Sequence, residues 1–222
     1  MKPQPISFKQ LARRKFKTLP FDGIWYDSFG MPERNARWFV FGPSGSGKTS
    51  FLIQLALYCT NFGRVAYVSS EEGVSESFRK AVVRANADDK ALRRVLLYGH
   101  LTYDELRAEI ETRKNVKLWI LDSINFLGYT MQETYDLMME YRNTMIAIIG
   151  WGAGNSPDGA SGKASRFRAD IKITLKHFQT IDINSRYGGN GQPFIVNYQQ
   201  AAKYDAAIAL QLHQMETLTI DN

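Results

Sequence analysis

The residues best suited to chemistry stand in one run, Gly42-Pro43-Ser44-Gly45-Ser46-Gly47-Lys48-Thr49, which has the spacing G-x-x-x-x-G-K-[ST]. Its glycines allow successive backbone N–H groups to point into one concave turn, and a helix that begins there adds partial positive charge. The spacing therefore predicts a site for the phosphates of a nucleoside triphosphate, with Lys48 at the β- and γ-phosphates and the Thr49 hydroxyl on Mg²⁺. The alternative is an ordinary glycine-rich turn. We expect nine residues to contact the nucleotide: Gly42, Pro43, Ser44, Gly45, Ser46, Gly47, Lys48, Thr49 and Ser50.

Two further carboxylates complete the predicted chemistry. Asp122 follows four apolar residues in "LWILDS", and we expect it to hold Mg²⁺ through water, unless it only begins a strand-to-loop turn. Hydrolysis also needs a group that orients or deprotonates the attacking water. Glu71, in "AYVSSEEG", is our choice for that group, and Glu72 is the second choice. The alternative is that both belong to an acidic first helical turn.

Alternating strand and helix patterns supply the elements that must position these side chains. Apolar runs predict five strands, "ARWFVF", "RVAYVSS", "RVLLYGH", "KLWILDS" and "MIAIIG". Helical spacing predicts helices over 50–61 and about 74–86, a helix over "QETYDLMMEYRN", and one that Thr102 and Glu105 begin with a capping box. This alternation predicts an α/β fold, a mainly parallel twisted sheet with helices on both faces.

The pattern changes after "MIAIIG". Residues 151–168, "WGAGNSPDGASGKASRFR", predict a long Gly/Ser/basic loop. "ADIKITLKHF" and "TIDINSR" predict antiparallel strands at one edge of the sheet, "PFIVNYQ" predicts a last strand, and the tail after it could be helical. We therefore divide the chain into a basic N-terminal segment (1–35), a core (36–202) and a C-terminal tail (203–222).

Composition narrows the class of protein. A chain of 222 residues is long enough for one α/β domain, and its single cysteine, Cys59, excludes an internal disulfide. The N-terminus has charge but no apolar signal region, so we expect a cytoplasmic protein that does not bind membranes. The net charge of +6 permits a nucleic-acid partner without requiring one.

Together these residues resemble the RecA-like P-loop ATPase superfamily, and in their motifs the RadA/Sms and DnaB-type helicase ATPase cores. "VAYVSSEEG" is similar to the "YVSGEES" run of the RadA/Sms branch, and "KLWILDSIN" is similar to its "ViDSIQ" run. The resemblance implies a RecA-like core that binds ATP and Mg²⁺, with Glu71 as the catalytic glutamate. It covers nearly the whole chain, from about Phe21 to Gln199.

A late motif suggests how active sites are shared between subunits. The chain reads Asn184-Ser185-Arg186-Tyr187-Gly188 where the relatives carry K-N-R-F-G or K-x-R-x-G. The resemblance implies that Arg186 is an arginine finger that reaches the γ-phosphate on a neighbouring subunit in a ring or filament. The motif's lysine is replaced by Asn184, so one cation of that contact is missing. The alternative is a solvated hairpin arginine.

The resemblance also implies two DNA-contacting loops. Phe126 and Tyr129 in the first would stack on bases, and Lys163, Arg166 and Arg168 in the second would bind phosphates. Packing in the core or between subunits is the alternative for the two aromatic residues, and a mobile solvated lid is the alternative for the three cations. Trp151 stands where relatives place a polar γ-phosphate sensor, and an indole departs from that pattern. The basic segment "FKQLARRKFK" could dock on the next subunit, as segments before the core do in relatives, or it could bind DNA directly.

These features predict an oligomeric, Mg²⁺-dependent ATPase that acts on single-stranded DNA in recombination or replication, as a translocase or helicase-like motor. A regulatory ATPase similar to KaiC relatives, with protein partners, is the alternative. A small-molecule kinase with Arg166 and Arg168 in a lid is a third interpretation.

Overall fold

The computed structural model describes residues 4–141, 143–152 and 156–220, with side chains up to Leu218. Seven strands form one sheet: β1 (Arg37–Gly42), β2 (Arg64–Ser69), β3 (Val95–Tyr98), β4 (Val116–Asp122), β5 (Met145–Trp151), β6 (Ile171–Lys176) and β7 (Gln179–Ser185). Their order across the sheet is β3-β2-β4-β5-β1-β6-β7. All neighbours are parallel except β6 and β7, which pair antiparallel. The predicted mainly parallel sheet with an antiparallel edge is confirmed.

Helices precede the first strand, connect most of the strands that follow, and continue after the last strand. In the part of the chain that the structure describes they are α1 (Phe8–Ala12), α2 (Gly23–Phe29), α3 (Lys48–Cys59), α4 (Glu76–Arg84), α5 (Asp89–Leu92), α6 (Tyr103–Thr112), α7 (Ile124–Leu127), α8 (Met131–Glu140), α9 (Gly159–Arg168), α10 (Tyr198–Ala201) and α11 (Ala206–Ile220). The Thr102–Glu105 capping box begins α6 as predicted, and the tail is helical. None of the described helices is long and apolar enough to cross a membrane.

The sheet is buried on both faces because its side chains alternate. In β1, Trp38 and Val40 join the core cluster beneath α2 and α3, while Phe39 and Phe41 join the cluster beneath α6, α7 and α8. Continuous apolar runs such as "RWFVF" are typical of parallel strands covered by helices on each side. The two clusters hold the carboxyl ends of β1, β2 and β4 at one edge of the sheet.

A buried arginine fixes the beginning of β1. The Arg37 guanidinium donates to the carbonyl oxygens of Asn35, Met138 and Thr144 at 2.6, 2.7 and 2.9 Å, and also to that of Tyr141. Burial lowers the pKa of this guanidinium to about 10. Arg37 thereby connects the C-terminal end of α8 to β1.

The predicted N-terminal segment divides into two parts. Leu19, Phe21, Trp25 and Phe29 are buried in the core cluster that also contains α3, so this part belongs to the domain. Residues 5–18 are exposed, and α1 buries none of its side chains. In the described part of this segment, the side chains that the core leaves exposed without interruption are therefore those before Leu19.

Two predicted elements are wrong. Residues 159–168 form helix α9 instead of loop, with Gly162 and Ser165 buried. "PFIVNYQ" is not a strand. It makes one isolated bridge, between Ile195 and Gln179, and its end starts α10.

Candidate nucleotide-binding site

The glycine turn joins the end of β1 to the beginning of α3. Gly47 stands just before α3 with φ +96°, and a Cβ added there would lie 2.9 Å from the Phe178 ring. The Phe178 N–H donates to the Ser46 carbonyl at 3.0 Å, so the β6–β7 turn packs against the glycine turn. These contacts hold a cleft of about 610 Å³, which all nine predicted nucleotide-contacting residues line.

Lys48 lies over the turn and faces the cleft. Its Nζ donates to the carbonyl oxygens of Gly42 and Pro43, both at 2.8 Å. Burial lowers the pKa of Lys48, and the negative charges of Glu71 and Asp122 partly offset that effect. A cation held by two carbonyls can exchange them for phosphate oxygens, which are stronger acceptors.

Asp122 lies opposite the glycine turn, at the end of β4. It is 4% exposed, and it accepts hydrogen bonds from the Tyr67 hydroxyl at 2.7 Å and from the Thr49 hydroxyl at 3.3 Å. Burial raises its pKa to about 6, against the effect of the Tyr67 hydrogen bond.

The oxygens around Asp122 fit a magnesium ion. Mg²⁺ in nucleotide sites takes one or two protein oxygens together with phosphate oxygens and waters, and the Thr49 hydroxyl and the Asp122 carboxylate provide that pair. The buried hydroxyls of Ser46, Ser69 and Ser123 make no hydrogen bond within the described residues. The described residues contain no group of three or more His, Cys, Asp or Glu side chains suited to a metal.

The two glutamates that follow β2 point in different directions. Glu71 accepts a hydrogen bond from the Trp151 indole Nε1 at 3.4 Å, which places its carboxylate toward β5. Glu72 accepts from the Ser77 hydroxyl at 2.6 Å, next to α4. Both line the cleft, and each carboxylate accepts one side-chain hydrogen bond. These contacts place Glu71 beside the end of β5 and Glu72 beside α4.

Arg186 lies far from the glycine turn of its own chain. Ser185 pairs with Ile171, which in turn pairs with Trp38 near the beginning of β1. Gly42 is four residues further along β1, or about 13 Å at the rise of a strand. The Arg186 side chain is 65% exposed, and its guanidinium lies 3.3 Å from an Asp170 carboxylate oxygen. Arg186 thus lies near the amino end of β1, whereas the cleft lies at its carboxyl end.

The two aromatic residues predicted to stack on DNA differ in accessibility. Phe126 is exposed on α7, with its ring edge-on to Trp151 at 4.8 Å between centroids. Tyr129 is buried, and its hydroxyl donates to the Leu101 carbonyl at 2.8 Å. Burial leaves Tyr129 no open ring face, which argues against base stacking by this residue.

The three predicted phosphate-binding cations lie on one helix, α9. Lys163 is exposed, the Arg168 guanidinium lies 4.4 Å from the centre of the Tyr135 ring, and the Arg166 guanidinium lies 4.9 Å from that of Phe41. Phe167, 74% exposed between the two arginines, was missed by sequence reasoning. Its signal was an aromatic residue set among basic ones, in a segment interpreted as loop.

Comparisons with known proteins give partial matches. The chain is 34% identical over 88 residues to the DNA repair and recombination protein RadB of Methanococcoides burtonii, covering 38% of this chain and 39% of that protein. It is 37% identical over 79 residues to the RadB protein of Pyrococcus furiosus, covering 35% and 34%. The alignments thus span about a third to two fifths of these relatives. No protein-family profile matches the chain.

Proposed function

We propose that this chain, whose core is that of the RecA-like P-loop ATPases, is a Mg²⁺-dependent ATP hydrolase of DNA recombination or repair. One observation carries the proposal: Lys48 and Thr49, Glu71, and Asp122 come from three separate parts of the chain and line one cleft. The similarity to proteins named for DNA repair and recombination supports the choice of process.

Each residue has a distinct task in hydrolysis. Lys48 would leave the carbonyls of the glycine turn and bind the β- and γ-phosphates, while Thr49 and Asp122 would hold Mg²⁺, which neutralises phosphate charge when bound. Glu71 would accept the proton of the water that attacks the γ-phosphorus. The bond from that phosphorus to the bridging oxygen breaks, and ADP and phosphate leave.

Completion of the site by a second subunit is part of the proposal. Arg186 cannot reach the cleft of its own chain, but its exposure leaves it available to the cleft of a neighbour. A planar cation there would stabilise the charge that develops on the transferred phosphoryl group. The exposed Phe8 and Leu11 on α1 supply apolar contact for docking of residues 4–18 on another copy. We therefore propose a ring or filament with nucleotide at each interface.

Single-stranded DNA is the proposed partner. Phe126 and Phe167 offer exposed rings, and Lys163 and Arg168 place cations on the helix that carries Phe167. Aromatic rings that alternate with cations are the usual means of binding single strands without sequence preference. Tyr129 is replaced in this proposal by Phe167.

The central experiment measures ATP turnover with and without a single-stranded oligonucleotide at two salt concentrations. We expect stimulation that weakens as salt rises, because phosphate contacts release counterions. Lys48→Ala should abolish turnover, and Lys90→Ala, an exposed lysine on α5, is its control. Phe167→Ala should weaken DNA binding, whereas Val83→Ala, an exposed apolar residue on α4, should not. Turnover without any response to DNA would refute the DNA proposal.

Shared sites are tested by mixing variants. Arg186→Ala and Lys48→Ala should each be inactive alone. An equimolar mixture should recover about a quarter of wild-type turnover, because one intact P-loop then meets one intact arginine at that fraction of interfaces. Full activity of Arg186→Ala, or turnover per subunit that is independent of protein concentration, would refute the shared site.

A regulatory ATPase with protein partners is the second candidate. Helix α11 favours it, because Leu210 is exposed and most of the helix surface is open in the part of the chain described. ATP hydrolysis that responds to a protein partner but not to DNA would select this function.

A further inference from the structure

Trp151 differs from the other tryptophans of the chain. Trp25, Trp38 and Trp119 are buried in the core clusters, whereas Trp151 is 38% exposed and lines the nucleotide cleft at the end of β5. A tryptophan that leaves more than a third of its surface exposed buries less apolar area than the three core tryptophans, so it contributes less to folding. Its contacts point to another role.

Trp151 joins the predicted general base to the predicted DNA-contacting segment. Its indole Nε1–H donates to Glu71 Oε2 at 3.4 Å, and its backbone N–H donates to Asn125 Oδ1 at 2.9 Å. The Phe126 ring stands edge-on to the indole, with an interplanar angle of 79°. One residue therefore touches Glu71 on one side and α7, with its exposed Phe126, on the other.

We propose that Trp151 is a positioning residue that restrains Glu71 in the resting site and releases it when a base occupies Phe126. The indole N–H orients the Glu71 carboxylate toward β5, and a hydrogen bond to the charged form makes the carboxylate a weaker base for the proton of the attacking water. Edge-to-face aromatic pairs are weak enough to rearrange when a base stacks on one ring. Stacking on Phe126 would turn the indole away and free Glu71. The inference rests on the proposed function, in that Glu71 acts as the base.

Trp151→Phe separates the hydrogen bond from the ring. The variant keeps an aromatic ring next to Phe126 but loses the N–H donor. We expect kcat without DNA to rise about threefold, as loss of one long hydrogen bond at the weak end of the usual range predicts. The KM for ATP should stay unchanged, and the ratio of DNA-stimulated to basal turnover should fall by a similar factor.

Trp119→Phe is the matched control. Trp119 lies in β4, and its indole N–H has no partner within the described residues, so this variant loses no hydrogen bond to Glu71. We expect its basal kcat and its DNA stimulation to match those of the wild type. Parallel shifts of both variants would indicate general loosening of the core and would overturn the proposal.

Two further measurements separate failure of the Trp151 restraint from failure of the proposed function. Glu71→Gln should abolish turnover; if it does not, the proposed function is wrong about the base. If Glu71→Gln is inactive but Trp151→Phe has wild-type kcat and wild-type DNA stimulation, only the restraint is refuted. Addition of oligonucleotide should also change tryptophan fluorescence in the wild type, and the change should be absent in Trp151→Phe. Retention of that change in the variant would count against release of the indole.

Discussion

Replacement of Asp122 by asparagine should stabilise the nucleotide-free protein at neutral pH while it abolishes hydrolysis. The carboxylate is 4% exposed, and burial raises its pKa from the ordinary 3.8 to about 6. Its ionisation therefore opposes folding. An amide of the same shape can still accept from the hydroxyls of Tyr67 and Thr49, and it carries no charge.

The magnitude follows from the two pKa values. The folded state holds the proton of Asp122 more tightly than the unfolded state does. Ionisation of Asp122 therefore leaves the free energy of unfolding unchanged below about pH 4 and lowers it as the pH rises from about 4 to 6. A difference of about two pH units between the pKa values corresponds to about 3 kcal/mol of unfolding free energy above pH 7. Near pH 5 the same linkage gives about 1.6 kcal/mol. The advantage of Asp122→Asn should thus grow by about 1.4 kcal/mol between pH 5 and pH 7.5.

Urea unfolding of both proteins near pH 5 and pH 7.5, without nucleotide or Mg²⁺, tests this prediction. Asp182→Asn, which removes an exposed carboxylate from β7, controls for the loss of one negative charge. An Asp122→Asn variant that is less stable than wild type at pH 7.5, or whose advantage does not change with pH, would refute the reasoning. Added Mg²⁺ and nucleotide should stabilise the wild type more than the variant, because the charge then has a partner.

Three further substitutions test other parts of the structure. Arg37→Met should lower the unfolding free energy by about 3 kcal/mol, since it leaves the carbonyls of Met138 and Thr144 without their donor; an effect under about 1 kcal/mol in urea would contradict this. Gly47→Ala should cost about 1–2 kcal/mol because of its positive φ, and binding of a fluorescent nucleotide should weaken; unchanged binding would show that the turn tolerates a Cβ. Tyr129→Phe should cost about 1 kcal/mol, through loss of the bond to the Leu101 carbonyl, and leave oligonucleotide affinity unchanged; reduced affinity would restore Tyr129 to the DNA surface.

The residues of the cleft were predictable because they follow from strand ends. The apolar runs of β1, β2 and β4 end at Gly42, Ser69 and Asp122, and parallel strands bring such ends to one side of the sheet. The direction of a side chain beyond the strand is not contained in that pattern. Sequence reasoning accordingly proposed both Glu71 and Glu72, and the contacts to Trp151 and Ser77 were needed to distinguish them.

Helix α9 was missed because tertiary packing overrides weak local preference. "GASGKASRFR" has two glycines and two serines in its first seven residues, which favours loop. The same small residues let α9 pack closely on α8, with Gly162 and Ser165 buried, and that packing stabilises the helix. The sequence of α9 alone does not reveal that α8 is its packing partner.

Part of the N-terminal segment lies in the core, which the charge of residues 1–35 does not indicate. Pro20 and Gly23 are residue types that commonly interrupt a helix. Gly23 instead begins α2, whose Trp25 and Phe29 stand one helical turn apart and reach Phe51 and Phe194 in the core. Aromatic anchors at that spacing outweigh one glycine at a helix end.

Because Arg186 lies far from Gly42 along the sheet, the proposed shared site would use two different surfaces of each subunit. In an open row of n copies, Arg186 of the subunit at one end would have no neighbouring cleft, and the cleft of the subunit at the other end would have no neighbouring Arg186. Such a row holds n − 1 complete sites, so turnover per subunit would rise with row length and approach a plateau. A closed ring has no ends and would show full turnover as soon as it forms. The dependence of specific activity on assembly size therefore distinguishes the two architectures without an image of either.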